Sequence, residues 1–193
     1  MTQSPENTQM PTSSLNYGFT PLPDWGLILV EGADAATLLQ GQLSNSVISL
    51  KRTAWGEIAY GLDSVRLVGY CNPKGRLLAS AWLGLFPEST DSDDCFALFI
   101  SKDIAASTAK RLSMYVLRSK VKVVDASNDW EVFGSYKNAG SEETIAPLKD
   151  SIGLRIPDVL DQDQSFQRAL FAKRKTESAN PSVDQISLSQ WNS

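Results

Sequence analysis

The sequence contains no histidine and only two cysteines, Cys71 and Cys95, among its 193 residues. The lack of histidine excludes Ser-His-Asp and Cys-His catalysis, histidine-ligated zinc and imidazole acid–base chemistry within this chain. Two cysteines without a short spacing cannot by themselves hold a zinc ion or an iron–sulfur cluster, and they predict no disulfide framework. We therefore expect no metal site and assign no catalytic residue.

Long apolar runs and phosphate-binding motifs are also missing. No uninterrupted apolar run approaches the ~20 residues that a membrane-spanning helix needs. The first residues, MTQSPENTQMPTSSLN, have neither the basic cluster nor the apolar stretch of a secretory signal. Neither G-x-G-x-x-G nor G-x-x-x-x-G-K-[ST] occurs, so a nucleotide-phosphate site is unsupported. We expect a cytoplasmic protein without a membrane partner.

Positive charge is scarce overall but locally concentrated. The formal net charge is -4 and the isoelectric point is near 4.9, which makes direct binding to nucleic acid doubtful. Between Lys102 and Lys122, however, six basic residues face a single acid, Asp103. A local basic surface on an acidic protein fits a small anionic ligand better than a long phosphate backbone. The alternative is an ordinary solvated face.

The order of patterns predicts an α+β fold with mixed, largely antiparallel sheets and a few packed helices. Residues 1–16 are rich in Ser, Thr, Gln, Asn and Pro, which predicts a disordered tail. We expect residues 17–193 to form the folded part. The final QWNS carries no helix stop signal, so we expect a chain truncated at the C-terminus.

The first predicted strand, WGLILVEG, leads into an apolar stripe at helical spacing that includes Leu38, Leu39 and Leu43. Gly41 within this stripe indicates either a close approach by backbone or ligand, or an early helix end. A second helix follows Ser101. Between the two helices, residues 58–86 have the pattern of a hairpin whose second arm, RLLASAWLGLF, is expected to be buried on both faces.

The hairpin turn is predicted at Asn72-Pro73-Lys74-Gly75, because Asn, Pro and Gly stand where a type I turn prefers them. By this chemistry alone Lys74 is an exposed residue at the tip of a turn. Two tryptophans in apolar strands, Trp82 and Trp130, are predicted core residues. Trp25 and Trp191 stand in polar contexts, where an indole can stack on a flat aromatic ligand, although a single tryptophan in such a context is more often structural.

Three segments carry a family resemblance: DWGLILVEGADAATLLQGQLSN, YCNPKGRLLAS and MYVLRSKVKV. In this order they resemble the N-terminal part of the YgfZ-type folate-binding proteins, relatives of the glycine cleavage T-protein (aminomethyltransferase). The resemblance covers residues 22–136 and returns weakly at SLSQWNS. It implies a multi-lobed α+β fold with a central cavity for tetrahydrofolate or a derivative. The K-G-C-[YF]-x-G-Q-E segment and the C-terminal barrel of the family are absent, and Cys71 does not match the cysteine of that segment.

The resemblance also implies binding residues. Trp25 and Trp191 match the family's folate-contacting tryptophans. Gln42 and Asn45 could offer amide hydrogen bonds to the pterin edges, the alternative being helix capping and loop bonding. An anionic glutamate tail requires basic residues. The candidates for the tail, or for a partner protein, are Lys74, Arg76, Arg118 and Lys120.

The resulting hypothesis is a folate-binding accessory protein that supports iron–sulfur cluster assembly or repair and iron–sulfur-dependent tRNA modification. Its partners would be folate and iron–sulfur enzymes or assembly proteins, and we expect a bacterial protein. A folate-dependent aminomethyltransferase or methyltransferase is the first alternative. It would need a carboxylate near the folate, with Asp63 and Asp125 available. The second alternative is a folate-free module that binds an acidic protein or tRNA through residues 102–122.

Overall fold

A computed structural model describes residues 17–138, 140, 145–161 and 164–175. These residues form ten strands and two helices. In chain order they are β1 (Tyr17–Pro21), β2 (Trp25–Glu31), α1 (Ala35–Gln40), β3 (Ile58–Ala59), β4 (Val65–Cys71), β5 (Leu77–Leu85), β6 (Cys95–Ser101), α2 (Lys102–Ser113), β7 (Lys122–Asp125), β8 (Trp130–Asn138), β9 (Ser151–Asp161) and β10 (Gln164–Arg174). The predicted tail (residues 1–16) and Trp191 lie outside the described residues.

The strands form two five-stranded sheets. Sheet I has the order β1-β8-β10-β9-β3, and sheet II has the order β4-β5-β6-β2-β7. Sheet II is antiparallel throughout, and in sheet I the short β3 runs parallel to β9. The predicted α+β class with largely antiparallel sheets is confirmed. Within the described residues, no helix is long and apolar enough to cross a membrane.

The two sheets pack face to face, and the helices cover the outer face of sheet II. Because side chains alternate along a strand, sheet II contributes to two cores. One face meets α1 and α2 through residues such as Ile28, Leu83 and Leu98. The other face meets sheet I through residues such as Leu27 and Phe99. The fold is therefore a sandwich of two sheets with a helical layer on one side.

Helix α1 is shorter than the apolar stripe predicts. It ends at Gln40, and Gly41 is its C-cap, with an N–H that contacts the carbonyls of Thr37 and Leu38. The early helix end is thus the correct alternative for Gly41. Leu43 lies outside the helix and forms an antiparallel bridge with Tyr70 of β4, so its placement in the helix was wrong. After Gly41 the chain pairs with the edge of β4 instead of continuing for another helical turn.

The predicted hairpin turn is confirmed. The N–H of Gly75 donates to the Asn72 carbonyl at 2.9 Å, and Gly75 adopts a φ of +76°, which favours glycine. The Asn72 side chain accepts the N–H groups of Lys74 and Arg76 at 2.9 and 3.0 Å. The second arm is not buried on both faces: Leu77, next to the turn, is 63% exposed. Both faces of this arm are buried only from Leu83 to Leu85.

Two other features of sheet I differ from the sequence-based expectation. Residues 17–21 form β1, which pairs with β8, although the prediction began the strands at WGLILVEG. Strand β9 also continues to Asp161, although the acidic composition of the segment DVLDQDQ is typical of a turn. Pairing with β10 imposes the strand here: Val159 lies opposite Phe166, with an irregularity in register between Phe166 and Arg168. Tertiary pairing overrides a weak local preference.

Candidate functional site

The Trp25 cavity lies at the end of sheet II where β2 begins and β6 ends, and its volume is about 330 Å³. A row of paired residues crosses β4, β5 and β6 beneath it, because Leu67 lies opposite Trp82 and Trp82 lies opposite Phe99. The remaining lining residues come from the same strand ends and the start of α2: Asp24, Trp25, Ser80, Ala81, Ile100, Ser101 and Ile104.

Trp25 is placed by the close packing of β2. It is the first residue of the strand, it pairs with Ser101, and its N–H donates to the Leu22 carbonyl at 3.0 Å. A Cβ at Gly26 would lie 2.6 Å from the hydroxyl oxygen of Ser127, so glycine is needed at this close approach. The start of β2 is therefore closely packed, and the partly buried Trp25 lines the cavity.

The lining of the Trp25 cavity suits a flat heterocycle. Two indoles, Trp25 and Trp82, supply aromatic surface, while the Ser80 and Ser101 hydroxyls and the Asp24 carboxylate supply hydrogen-bonding groups. The volume is at the lower end of the range for small-molecule pockets, about 300–1,000 Å³. The residues present thus fit the pterin ring of a folate.

Trp82 separates this cavity from a second one, the Arg155 cavity, of about 390 Å³. The Arg155 cavity is lined by Tyr60, Gly61, Leu62, Val65, Trp82, Arg155, Ile156, Pro157 and Asp158. Trp82 is only partly buried, so its prediction as a core residue holds only for the part that packs against the sandwich core. Trp130 is buried, as predicted. No sequence pattern had indicated Arg155 as a site residue.

The two predicted amide residues lie close to β4. Asn45 Nδ2 donates to the Leu67 carbonyl at 3.3 Å, and its Oδ1 accepts the Ser46 N–H at 2.9 Å. This is the loop bonding considered as the alternative for Asn45, and it supports the strand that carries Leu67 into the Trp25 cavity. Gln42 is half-buried just after α1, with its N–H on the Leu39 carbonyl. Contact of either amide with a pterin stays a prediction.

The predicted basic residues are spread apart. Lys74 and Arg76 are exposed at the tip of the β4–β5 turn, and neither lines the Trp25 cavity. Arg118 is exposed in the loop that leads to β7. Strands β4 and β7 are the opposite edges of sheet II, four strand spacings or about 19 Å apart. The fold therefore does not bring Arg118 together with Asn45.

A third cavity, of about 600 Å³, has Cys95 among its lining residues. Its lining mixes acids such as Glu31 and Glu88 with Lys120 and Arg174. Burial, with smaller effects of Glu31 and Glu88, raises the pKa of the Cys95 thiol to about 12. A thiol that stays protonated is a poor nucleophile and metal ligand. Among the described residues, no group of three or more side chains is placed to hold a metal ion.

The two carboxylates considered for proton transfer are engaged elsewhere. Asp63 forms an exposed ion pair with Lys51, and the hydrogen bond from Lys51 lowers the pKa of Asp63. Asp125 accepts the N–H and hydroxyl of Ser127. Neither lines the Trp25 cavity, whereas Asp24 does. Asp24 was missed, although its position directly before Trp25 was a usable signal.

Comparison with known proteins gives consistent results. The chain is 31% identical over 150 residues to the mitochondrial iron-sulfur cluster assembly factor IBA57 homolog of Mycosarcoma maydis, which covers 74% of this chain and 36% of that protein. It is 32% identical over 124 residues to the tRNA-modifying protein YgfZ of Aliivibrio fischeri, covering 61% and 34%. The chain thus spans about a third of the length of these curated relatives. No family model matches.

Among solved structures, the glycine cleavage system aminomethyltransferase T from Bartonella henselae matches 82% of this chain and 42% of its own, with a TM-score of 0.58 and 16% identity. At this identity the match establishes the fold alone. Together with the two similar sequences, it confirms the resemblance inferred from the sequence segments. The chain has a YgfZ-type, T-protein-like fold.

Proposed function

We propose that this chain is the folate-binding part of an accessory protein that supports iron–sulfur cluster assembly or repair and iron–sulfur-dependent tRNA modification. The Trp25 cavity is the observation that carries the folate proposal, because it combines two indoles with hydroxyl and carboxylate groups. The roles named for the IBA57 and YgfZ relatives support the accessory function. Its clients would be iron–sulfur enzymes or assembly proteins.

Each lining residue has a distinct part in this proposal. The rings of Trp25 and Trp82 stack on the pterin, and the Asp24 carboxylate accepts its N–H groups. The Ser80 hydroxyl can donate or accept at the ring edge, and the Ser101 hydroxyl, which donates to Asp103 Oδ1 at 2.7 Å, can accept there. When bound, tetrahydrofolate supplies one-carbon carrier chemistry.

We favour an accessory role over a transferase because the names of the relatives give iron-sulfur cluster assembly and tRNA modification as their roles. Asp63 and Asp125, the carboxylates first considered for proton transfer, are engaged elsewhere. We place the protein in a bacterial cytoplasm. The YgfZ relative is bacterial, and Cys71 and Cys95 are both free thiols, as expected in a reducing compartment.

The test is an anaerobic titration of the full 193-residue chain with tetrahydrofolate, followed by tryptophan fluorescence and by calorimetry. We expect quenching and a binding heat, both reduced in Trp25→Phe, since a smaller ring stacks less well. Trp55→Phe is the matched control. Trp55 packs edge-on against Trp130 at 5.5 Å, outside the Trp25 cavity, and should leave affinity unchanged.

The contradictory outcome is a wild-type chain that gives neither quenching nor heat. Binding of tRNA that depends steeply on salt and is unaffected by tetrahydrofolate would instead favour the folate-free module.

A further inference from the structure

The Trp25 and Arg155 cavities are neighbours along one strand pair. Leu67 and Trp82 line the first cavity and lie opposite each other on β4 and β5. Val65, two residues before Leu67, lines the second, together with the same Trp82. Two residues along a strand span about 7 Å. A ligand longer than one ring system can therefore extend past Trp82 from one cavity into the other.

Arg155 is held rigidly in the second cavity. Its guanidinium lies 4.4 Å from the ring centroid of Tyr60, and its Nη2 donates to Asp158 Oδ1 at 3.0 Å. The side chain is only 19% exposed. Its Nε is buried without a hydrogen-bond partner among the described residues. The contacts with Tyr60 and Asp158 position the guanidinium in advance, and its planar shape favours recognition of a carboxylate.

A second guanidinium lies close to the ion pair of Arg155. Arg168, on the neighbouring strand β10, contacts the Pro157 carbonyl at 3.4 Å and interacts electrostatically with Asp158. Burial lowers the pKa of Arg168, but a guanidinium remains protonated at neutral pH. Asp158 therefore interacts with both guanidiniums at this end of β9.

We infer that the Arg155 cavity receives the carboxylate-bearing aryl arm of the ligand whose ring lies in the Trp25 cavity, and that Arg155 binds the carboxylate. This inference rests on the proposed folate binding. The aryl part of the arm has apolar contacts available on Trp82, Tyr60 and Leu62, of which Leu62 is 85% exposed. An exposed leucine and tyrosine beside a cation are suited to an apolar group that ends in an anion.

The basic residues expected from sequence are less well placed for this role. Arg76 stands about 13 Å along β5 from Ser80, in the direction away from Trp82. Its side chain is exposed at a turn, so fixing it on a ligand would cost conformational entropy. Arg118 lies towards the opposite edge of the sheet. Arg155, in contrast, lines a cavity that has Trp82 in common with the Trp25 cavity.

The test compares tetrahydrofolate with 6-methyltetrahydropterin, which has the ring but lacks the anionic arm, on the full chain by calorimetry. In Arg155→Met, which keeps an apolar stem, we expect the Kd for tetrahydrofolate to rise about tenfold and that for the pterin to stay within about twofold. Arg155→Lys keeps the positive charge and should raise the Kd for tetrahydrofolate by less than Arg155→Met does. Arg76→Met is the control and should change neither Kd.

The outcomes separate the two proposals. Equal weakening of both ligands in Arg155→Met would mean a merely structural role and would overturn the inference. The inference would also be overturned if Arg76→Met selectively weakened tetrahydrofolate binding while Arg155→Met had no effect. The carboxylate would then be bound by Arg76 at the β4–β5 turn. Both results would leave folate binding intact, whereas failure of the wild-type chain to bind either ligand would overturn the proposed function itself.

Discussion

The hydroxyl oxygen of Ser127 accepts a hydrogen bond from the backbone N–H of Leu27 at 3.1 Å, and both residues are buried. The contact joins the start of β2 to a segment 100 residues later in the chain. It also places Ser127 against Gly26, so that a Cβ there would clash. The Ser127 hydroxyl therefore adds to the strand pairing that holds the end of β2 at Trp25.

Ser127→Ala is expected to destabilise the fold by about 1–3 kcal/mol, because the buried N–H of Leu27 would lose its partner. Chemical denaturation measures the change. Ser113→Ala is the matched control, since the hydroxyl of Ser113 bonds only locally, to the Lys110 carbonyl on an exposed face of α2. Equal effects of the two substitutions would contradict this account of Ser127.

Ser80→Phe should abolish ligand binding while leaving stability nearly unchanged. Ser80 lines the Trp25 cavity but is exposed, so a larger side chain fills the open space instead of compressing the core. Tetrahydrofolate titration and thermal unfolding would be measured on the same sample. Ser113→Phe adds the same ring away from the cavity and should still bind. Normal affinity in Ser80→Phe would place the ligand elsewhere.

The two cysteines are expected to differ sharply in reactivity. At pH 8 a thiol with a pKa of about 12 is ionised in only about one molecule in ten thousand, and Cys95 is also buried. Cys71 is exposed. Alkylation followed by mass spectrometry should find one fast thiol in the native protein and two after unfolding. Equal labelling of both native thiols would show that the Cys95 environment is wrongly described.

Raising the pH from 8 to 10 should lower the free energy of unfolding by about 1 kcal/mol through Cys95. In the unfolded chain the thiol ionises near 9, whereas burial keeps it protonated in the folded state until about pH 12. The Cys95 thiol therefore loses its proton at a lower pH in the unfolded state than in the folded state, so rising pH favours unfolding. Tyr70, whose pKa burial also raises above 10, acts in the same direction at higher pH.

Cys95→Ala provides the comparison for this pH dependence. Urea denaturation at pH 8, 9 and 10 should give a smaller decline in the variant than in the wild-type chain. Parallel declines would assign the alkaline sensitivity to other groups.

Local chemistry accounts for the elements that the sequence predicted correctly. The turn at Asn72–Gly75 needs only its own residues, since Asn72 bonds Lys74 and Arg76 within the turn. The predicted strand WGLILVEG has a nearly continuous apolar run, and residues 26–30 are buried between the helical layer and sheet I. Such features depend either on contacts between residues close in sequence or on the apolar pattern of one strand. Each can therefore be predicted from its own segment of the sequence.

The misplaced features depend on contacts far apart in sequence. Leu43 lies outside the expected helix because it pairs with the edge of β4, a strand that begins 22 residues later. Arg155 gave no signal, because its meeting with Tyr60 requires β3 to lie beside β9. Trp25 was identified through its family match, and only the fold revealed Trp82 and Asp24 as its neighbours. Site assembly is a property of strand pairing, which periodicity alone does not predict.

The segment after α1 has a consequence for self-association. β4 is the outermost strand of sheet II, and an open strand edge is a template for pairing with other chains. Leu43, Ser44 and Asn45 occupy part of that edge by bonding to Tyr70, Gly69 and Leu67. The same short stretch that steadies the cavity wall thus shields the protein against fibril-like growth, so that loosening it would impair solubility together with ligand recognition.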